Sequence, residues 1–356
     1  MPTLALKSPT AHLLLHSGRF EVLLGPRGAG KRTLLRTLAG LVAPGEAKVF
    51  FGGVEITRTS PARRPMTFVP RGGAAYPRLT VRANLALAMQ CPAADRRIDE
   101  VVAQLDLADS AERRVGELEP MLRQLVALGK AAVGTAPVVL LDEPLTDLDS
   151  DSRRRVRAFL RAHVLAADRL LVLTSVDATE AMLLGGGVHV VDAEAVLQRG
   201  TPRSVSATPV SQRVAELVQD PAFGTWTFRL AFEPGAGPIA QFGTWLTASA
   251  PTSFQDLGPG EYRLGLPAHC VRAVRREADD LEVRAVVRSL ECLGAETLLR
   301  AEHDGGELAA VVGRDHRPVP GQALELFFSL RDAFVFTPGG KTLLVPEREA
   351  SSHAAS

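Results

Sequence analysis

The sequence predicts an α/β fold over about the first 200 residues and an all-β fold over the remainder. Three observations predict this division. Short apolar runs alternate with helix-like stretches in the first part, a turn-rich connector, GTPRSVSATPVSQ, follows at 200–212, and short alternating strands dominate the second part. Strands alternating with helices are typical of a parallel sheet covered on both faces. Closely spaced strands with Gly/Pro turns are typical of a barrel or sandwich.

The first part begins with a buried strand at 20–24, a loop at 25–30 and a helix from Lys31 to Leu41. The apolar runs KVFF, MTFV, VVLLD and LLVLTS are expected to form the further strands of the parallel sheet. Helices are expected between these runs, at Val81–Gln90, Ile98–Leu107, Met121–Val133 and Ser152–Val164.

In the second part the runs TWTFRLAF, LEVRAVVRSLEC, ETLLRAE, ELAAVV, ALELFFS and AFVF are expected to be strands. Within LEVRAVVR the apolar positions are Leu281, Val283 and Val287, and the polar positions are Glu282, Arg284 and Arg288. We therefore expect two domains, 1–212 with a helical subdomain at about 80–135, and 213–356. The tail from about 347 is polar and small, and we expect it to be disordered.

Length, composition and charge exclude several classes of protein for this chain. The chain has 356 residues, too many for a single ordinary core, and its net charge of +1 gives no support for nucleic-acid binding. Cys91, Cys270 and Cys292 are far apart and the eight histidines lack ligand spacing, so neither a disulfide framework nor a His/Cys metal site is expected. A reducing cytoplasm fits this cysteine usage. No signal segment or membrane span is visible, so any membrane role would go through a partner.

The stretch GPRGAGKRT, residues 25–33, is close to a phosphate-binding loop. Such a loop aims backbone N–H groups and a helix N-terminus at phosphate oxygens, and Lys31 would contact the β- and γ-phosphates. The pattern requires a magnesium-binding hydroxyl directly after the lysine, but Arg32 stands there and only Thr33 keeps a hydroxyl. A guanidinium cannot coordinate a cation. A glycine-rich turn without nucleotide is the alternative. The predicted loop residues are Gly25, Gly28, Ala29, Gly30, Lys31, Arg32 and Thr33.

A second stretch, VVLLDEPLTDLD, ends an apolar strand with two carboxylates. Asp142 is placed to hold Mg²⁺ through water. Glu143 is placed to act as the general base that polarises a water at the γ-phosphate. A solvated strand end is the alternative interpretation.

Together these stretches make the chain similar to an ATP-binding subunit of an ABC transporter, in the carbohydrate-importer group that includes the maltose and glycerol-3-phosphate systems. GPRGAGKRTLLRTLAGL resembles the Walker A region, and VVLLDEPLTDLD resembles the Walker B region and a D-loop that contains Asp149. YPRLTVRANLALAM resembles the entry to the helical subdomain, and QRGTPRSV resembles the exit from the ATPase core. GLPAHCVRA, SLECLGAE and AFVFTPGG resemble the C-terminal TOBE domain.

The resemblance implies an α/β P-loop NTPase with a RecA-like core and a helical subdomain, followed by an all-β OB/TOBE-like domain that is often regulatory. It also implies ATP and Mg²⁺ as cofactors, two ATP bound between head-to-tail subunits, and membrane-spanning partner subunits. Such a subunit would lie peripherally on the cytoplasmic face of the inner membrane. The solute cannot be read from this subunit, and a carbohydrate, polyol or glycerol-type solute is an analogy with the family.

The chain departs from the family pattern at further positions. Arg71 replaces the glutamine that contacts magnesium and water. LEPML replaces the signature LSGGQ, so Glu119 puts a negative charge where phosphate docks and Pro120 removes a backbone donor. Val176 replaces the switch histidine and offers no donor to the γ-phosphate.

Two surface features leave alternatives open. The family stacks adenine on an aromatic side chain upstream of the loop, but no aromatic residue precedes Phe20. His12 or His16 would stack weakly or would be surface residues. The groove that docks the membrane subunit would run from Arg71 to Leu79, where Tyr76 and Pro77 form either a docking surface or a plain turn.

Two functions follow. One is a divergent importer ATPase, supported by Lys31, Asp142 and Glu143. The other, which the four replacements favour, is a non-catalytic pseudo-ATPase with weak or doubtful Mg²⁺ binding through Asp142 alone. It would pair in a heterodimer with an intact ATPase rather than in a homodimer. A small-molecule P-loop kinase is disfavoured, because it would have no use for the C-terminal β-domain.

Overall fold

The computed structural model describes residues 3–89, 94–165, 168–219, 222–233, 237–313 and 316–347. Cys91 and the tail after residue 347, with its expected disorder, lie outside these residues. The chain divides into two compact units, Met1–Pro202 and Arg203–Ser356. Part of the connector therefore belongs to the second unit, where Ser211 pairs with Lys341 and Gln212 N donates to Gly340 O across 2.8 Å. This boundary precedes the expected one at residue 212.

The first unit contains both strands and helices, with single turns of 3-10 helix at Pro61–Arg63, Ala108–Ser110 and Val115–Glu117. In chain order they are β1 (Thr3–Lys7), β2 (His12–His16), β3 (Phe20–Leu24), α1 (Lys31–Ala39), β4 (Lys48–Phe51), β5 (Val54–Glu55), β6 (Met66–Val69), α2 (Val81–Ala86), α3 (Ala94–Gln104), α4 (Pro120–Val133), β7 (Val138–Leu141), α5 (Ser150–Leu165), β8 (Leu170–Ser175), α6 (Ala178–Leu184), β9 (Gly187–Asp192) and β10 (Ala195–Gly200).

The larger sheet of this unit has the strand order β10-β9-β3-β8-β7-β6. Strand β3 pairs in parallel with β8 and β9, and β7 pairs in parallel with β6 and β8. Only the edge strand β10 is antiparallel to its neighbour. The predicted parallel sheet is therefore confirmed, and its central strands β3, β7 and β8 are buried along their whole length.

A second, antiparallel sheet has the order β2-β1-β4-β5. The prediction that KVFF belongs to the parallel sheet is wrong, because β4 pairs with β1 and sets Val49 opposite Leu6. Both side chains join Leu23 and Leu140 in one apolar core. The hairpin β1–β2 was not predicted, although Leu13 and Leu15 of β2 are buried and Leu14 between them is only half-buried.

Glycines set the bounds of α1. Gly30 has φ 91° and precedes the first turn, and Gly40 has φ 74° and donates its N–H to the carbonyls of Arg36 and Thr37. A left-handed glycine at each end stops the helix, because residues with a side chain rarely adopt that conformation. The helix therefore ends at Ala39 rather than at the expected Leu41.

Three helices pack together between residues 80 and 135. A Cβ at Gly129 of α4 would lie 3.1 Å from side-chain atoms of Leu85 on α2 and of Val101 on α3. Glycine allows this close approach of the helices. No helix among the described residues combines the length and the hydropathy that a membrane span requires.

The rest of the chain begins with two short helices and continues with antiparallel strands. The elements are α7 (Pro202–Ala207), α8 (Gln212–Val218), β11 (Phe223–Glu233), β12 (Gly237–Phe242), β13 (Leu246–Ser249), β14 (Gly260–Pro267), β15 (Leu281–Cys292), β16 (Glu296–His303), β17 (Gly306–Gly313), β18 (Ala323–Phe328), β19 (Phe334–Phe336) and β20 (Thr342–Leu344), with 3-10 turns at Thr252–Asp256, Ala268–Cys270 and Leu330–Asp332.

These strands form two antiparallel sheets, β13-β12-β11-β14-β19-β20 and β17-β16-β15-β18. The predicted alternation along β15 is confirmed, since Val283 and Val287 are buried while Glu282 and Arg284 are exposed. Buried side chains from both sheets share one large apolar core, and two smaller buried clusters are separate from it. The second part is therefore all-β, as the sequence predicts.

Candidate functional site

The predicted site residues follow neighbouring strands of the parallel sheet, at the carboxyl ends of those strands. The loop from Gly25 follows β3, Val176 follows β8, Asp142 follows β7, and Arg71 lies two residues beyond β6. The carboxyl ends of parallel strands meet at the same edge of a sheet, where ligands of such folds bind. A cavity of about 390 Å³ lies there, lined by Arg27–Thr33, Arg71, Asp142, Glu143 and Glu194.

Glycines give the loop between β3 and α1 a left-handed backbone at two positions. Gly28 and Gly30 have φ angles of 82° and 91°. A Cβ at Gly25 would lie 2.0 Å from the carbonyl oxygen of Val191, so no side chain fits at that position. The loop ends in α1, whose first N–H groups have no partner within the helix. A glycine loop that leads into a helix is the kind of structure that binds phosphate oxygens in other proteins.

Lys31 is buried at the end of this loop. Its Nζ donates to the carbonyl oxygens of Gly25 and Pro26, at 2.6 Å and 2.8 Å. Burial lowers the pKa of Lys31, and the carboxylates of Glu143 and Asp142 partly offset that effect. The ammonium is thus held by the carbonyls of the loop, in the lining of the cavity.

Arg32 forms an ion pair with Asp142. Its Nε lies 2.5 Å from Oδ2 of Asp142, whose side chain is 4% exposed. The other oxygen of the carboxylate, Oδ1, accepts a hydrogen bond of 3.1 Å from Oγ1 of Thr174. Both oxygens of Asp142 are therefore engaged by side chains of the protein itself.

Arg71 contacts two carboxylates. Its Nη2 and Nε donate to the two oxygens of Asp147 at 2.9 Å and 3.1 Å, and its Nη1 donates to Oε2 of Glu143 at 3.3 Å. The hydrogen bonds from Arg71 lower the pKa of Asp147 and raise the pKa of Arg71 itself. The paired contact with Asp147 fixes the plane of the guanidinium beside Glu143.

Glu143 is held in an unusual conformation. Its φ angle is 46°, in a region that residues with a side chain rarely adopt, and its N–H donates to Oγ1 of Thr174 across 2.8 Å. Its Oε2 also accepts a longer hydrogen bond, 3.4 Å, from Oγ1 of Thr146. Thr174 therefore touches both residues of the carboxylate pair, one through a backbone amide and one through a side chain.

The other predicted positions lie outside the lining of this cavity. Glu119 and Pro120 are exposed at the start of α4, and the Glu119 side chain caps no N–H there. Val176 is 38% exposed. Asp149 accepts the N–H of Ser152 at 2.7 Å, and this hydrogen bond lowers the pKa of its carboxyl. The Asp149 carboxylate therefore contacts the first turn of α5.

A second cavity, of about 420 Å³, shares Gly30, Thr33 and Glu194 with the first. Aliphatic and proline side chains contribute much of its wall, and no aromatic residue lines it. The turn between β1 and β2 forms one side of it. Neither His12 nor His16 lines this cavity, so the weak stacking considered for them has no support here.

The chain resembles known transporter proteins along almost its whole length. Residues 10–146 match the family described as ABC transporter, and residues 267–336 match the TOBE domain. An sn-glycerol-3-phosphate import ATP-binding protein of Agrobacterium fabrum is 31% identical, with 98% of this chain and 94% of that protein covered. One of Chromohalobacter salexigens is 31% identical, with 98% and 96% covered. The chain belongs to the ATP-binding subunits of ABC transporters.

Solved structures agree with the fold of this ABC subunit. The ATP-binding subunit of an ABC transporter superposes with a TM-score of 0.52 at 19% identity, over 57% of this chain and 91% of that one. A dimeric ATP-binding cassette in a post-hydrolysis state with ADP and Pi gives a TM-score of 0.50 at 21% identity, over 57% and 99%. The P-loop fold of the first part is therefore as predicted. The TOBE match at residues 267–336 and the two antiparallel sheets confirm the OB/TOBE-like fold predicted for the second part.

The family uses Mg²⁺ with its nucleotide, and the site of this ABC subunit does not fit that ion. Mg²⁺ prefers near-octahedral oxygen ligands at about 2.0–2.1 Å. The predicted ligand, Asp142, is engaged by Arg32 and Thr174, and the position of the family hydroxyl is a guanidinium.

Sequence reasoning missed several residues of the cavity region, among them Arg27 in its lining. Asp147 and Thr174 bind the predicted residues, and Glu194 forms the shared wall of both cavities. A signal existed for Asp147, because an acidic residue lies four positions after Glu143 in VVLLDEPLTDLD. Glu194 has φ 63° and its N–H donates to Ala29 O across 2.9 Å. This contact joins residues far apart in sequence, so no local sequence pattern could predict it.

Proposed function

We propose that this chain is the nucleotide-binding subunit of an ABC importer and that it binds ATP with little or no hydrolysis. One observation carries the proposal: both carboxylates expected to serve hydrolysis are paired with arginines. Arg32 pairs with Asp142, and Arg71 pairs with Glu143. The import role is supported by relatives whose names describe sn-glycerol-3-phosphate import ATP-binding proteins.

The loop and Lys31 would hold the phosphate chain. The N–H groups at the start of α1 supply hydrogen-bond donors, and the helix dipole favours negative charge there. Lys31 would exchange the carbonyl oxygens of Gly25 and Pro26 for oxygens of the β- and γ-phosphates. These features support nucleotide binding independently of any catalysis.

The groups that would perform hydrolysis are engaged or replaced. Oε2 of Glu143 accepts hydrogen bonds from Arg71 and Thr146, so this oxygen is not free to orient an attacking water. Val176 carries no donor for the charge that develops on the γ-phosphate. Losing one such contributor typically costs about 10²–10³ in rate, and several losses do not simply add. We expect hydrolysis close to the background.

The start of α4 supports a role as an interaction subunit. In a head-to-tail dimer, Glu119 and Pro120 would face the phosphate held by the opposite subunit. Glu119 would repel that phosphate with its negative charge, and Pro120 would offer it no backbone N–H. A homodimer would combine these replacements with Arg32 and Arg71 in every site. A heterodimer with an intact ATPase is therefore our preferred assembly, and a neighbouring reading frame encoding SGGQ and the switch histidine would support it.

The docking partner would be a pair of membrane-spanning subunits, with this chain peripheral on the cytoplasmic face of the inner membrane. Tyr76 is 55% exposed, and the Lys130 ammonium lies 4.2 Å from the centre of its ring. The fully buried Asn84 binds the backbone of Tyr76 on both sides, at 2.7 Å and 3.0 Å. This rigid, exposed tyrosine favours a docking surface over a plain turn.

The solute would be a carbohydrate, a polyol or a glycerol-type compound.

A working ATPase is the second candidate, because Lys31, Asp142 and Glu143 are all present. Phosphate release by the purified chain, compared with a Glu143→Gln variant, separates the two functions. Under our proposal the two proteins give the same background rate. A clear rate that depends on Glu143 would instead establish the ATPase.

A further inference from the structure

Two guanidinium groups lie where a divalent cation would approach the carboxylates of the site. Nε of Arg32 lies 2.5 Å from Asp142, and Nη1 of Arg71 lies 3.3 Å from Glu143. Mg²⁺ at Asp142 would have to displace Arg32 and would stand beside two positive charges that repel it. These arginines already supply the positive charge that the carboxylates require.

The two arginines are held by carboxylates of the protein itself, Arg32 by one and Arg71 by two. The Asp142 carboxylate that holds Arg32 is nearly buried, and a buried carboxylate is costly to leave without its ion pair. Arg71 is held in a two-point contact with Asp147 in addition to its contact with Glu143. Removing either guanidinium from the site therefore breaks an established charge pair.

The charges of the cavity suit a phosphate chain that carries no metal. Four cationic side chains and three carboxylates line it, and the cationic ones are Arg27, Lys31, Arg32 and Arg71. A nucleotide without Mg²⁺ presents the full negative charge of its phosphates to these groups. The Mg²⁺ complex has two of those charges cancelled and brings a cation towards Arg32 and Arg71.

We infer that this site binds the phosphate chain of a nucleotide in its metal-free form, with Arg32 and Arg71 as built-in counter-charges. Mg²⁺ then competes with the protein for the nucleotide instead of assisting its binding. This inference rests on the proposed nucleotide binding and adds the form of the ligand that the site selects.

Calorimetry with the full chain tests the inference. ATP is titrated once with EDTA and once with excess MgCl₂, at matched ionic strength. We expect Mg²⁺ to raise the Kd of the wild-type chain by about threefold or more. In the double variant Arg32→Ser/Arg71→Gln the sign should reverse, so that Mg²⁺ lowers the Kd. Arg154→Gln, which removes an exposed arginine outside the cavity lining, is the matched control and should keep the wild-type sign.

The outcomes separate the inference from the proposed function. An equal or lower wild-type Kd with Mg²⁺ overturns the inference and leaves nucleotide binding intact. Failure of both forms to bind at millimolar concentration overturns the proposed nucleotide binding and the inference with it. If the double variant does not fold, as judged by its circular dichroism spectrum, the single variants Arg32→Ser and Arg71→Gln take its place and should each reduce the wild-type Mg²⁺ effect.

Discussion

Arg32 at the start of α1 donates its Nε to Oδ2 of Asp142 at the end of β7, across 2.5 Å. These residues are 110 positions apart in sequence, and the contact joins the first turn of α1, after the glycine loop, to the end of the strand that precedes Asp142 and Glu143. In this ABC subunit an ion pair between two side chains of the protein thus connects the loop region with the carboxylates. The family uses a metal ion at the corresponding place.

This ion pair should be measurable as a coupling energy. We expect a double-mutant cycle of Arg32→Ser and Asp142→Asn, followed by urea unfolding, to give a coupling of about 1 kcal/mol, because Arg32 is half exposed and solvent screens the pair. The same cycle on Arg154 and Asp151, an exposed helical pair, is the control and should give less. Additive effects of Arg32→Ser and Asp142→Asn would contradict the finding.

The ligand should be recognised by its phosphates and hardly by its base. Stacking a base on an aromatic side chain is worth about 1–3 kcal/mol, and no aromatic residue lines the cavity next to the loop. We expect ATP and GTP to bind with Kd values within about threefold, and tripolyphosphate within about tenfold of ATP.

A variant sharpens this test of base recognition. Thr10, at the turn that lines the second cavity, is exposed and can be replaced by an aromatic residue. Thr10→Tyr should tighten ATP by up to about tenfold and leave tripolyphosphate unchanged. If the wild-type chain already prefers ATP over tripolyphosphate by more than about a hundredfold, an unseen base contact exists and the account of this cavity fails.

A buried pair in the first unit should give a pH-dependent stability. Glu21 is fully buried, accepts a hydrogen bond from His189 at 2.9 Å, and also binds Arg19 and the His16 N–H. Burial alone would raise the pKa of Glu21, but the contacts with His189, His16 and Arg19 outweigh it and the net pKa is lowered.

A lowered carboxyl pKa stabilises the folded state above the unfolded value of about 4.3, and the effect is lost as the pH falls through the lower folded value. We expect Glu21→Gln to cost about 2 kcal/mol at pH 7, measured by urea unfolding. The difference from wild type should shrink below about pH 4.3. The exposed Glu55→Gln serves as the control. A Glu21→Gln effect that grows towards acid pH would refute this sign.

The sequence predicted the loop and the carboxylates because each is a local pattern. GPRGAGKRT lies between a strand and a helix, and Asp142 follows an apolar run, so both could be placed at the ends of parallel strands. The partners of the replaced residues could not be predicted. That Arg32 binds Asp142 and that Arg71 binds Asp147 depends on which strands are neighbours, which sequence spacing does not state.

The wrong prediction that β4 belongs to the parallel sheet has the same cause, because sequence spacing does not show which strands are neighbours. KVFF is four residues long, and a short apolar run shows that a strand exists without showing its partner. Its pairing with β1 depends on residues more than forty positions upstream, at Leu4–Lys7. The β1–β2 hairpin was also not predicted from the sequence, although Leu4, Leu6, Leu13 and Leu15 are all buried.

The central claim is that two arginines take the place of a divalent cation, and Mn²⁺ electron paramagnetic resonance in the presence of ATP tests it most directly. The wild-type chain should give no protein-bound Mn²⁺ signal that depends on Asp142, whereas Arg32→Ser/Arg71→Gln should bind about one Mn²⁺ per subunit. A bound Mn²⁺ signal in the wild-type chain that disappears in Asp142→Asn would contradict the claim.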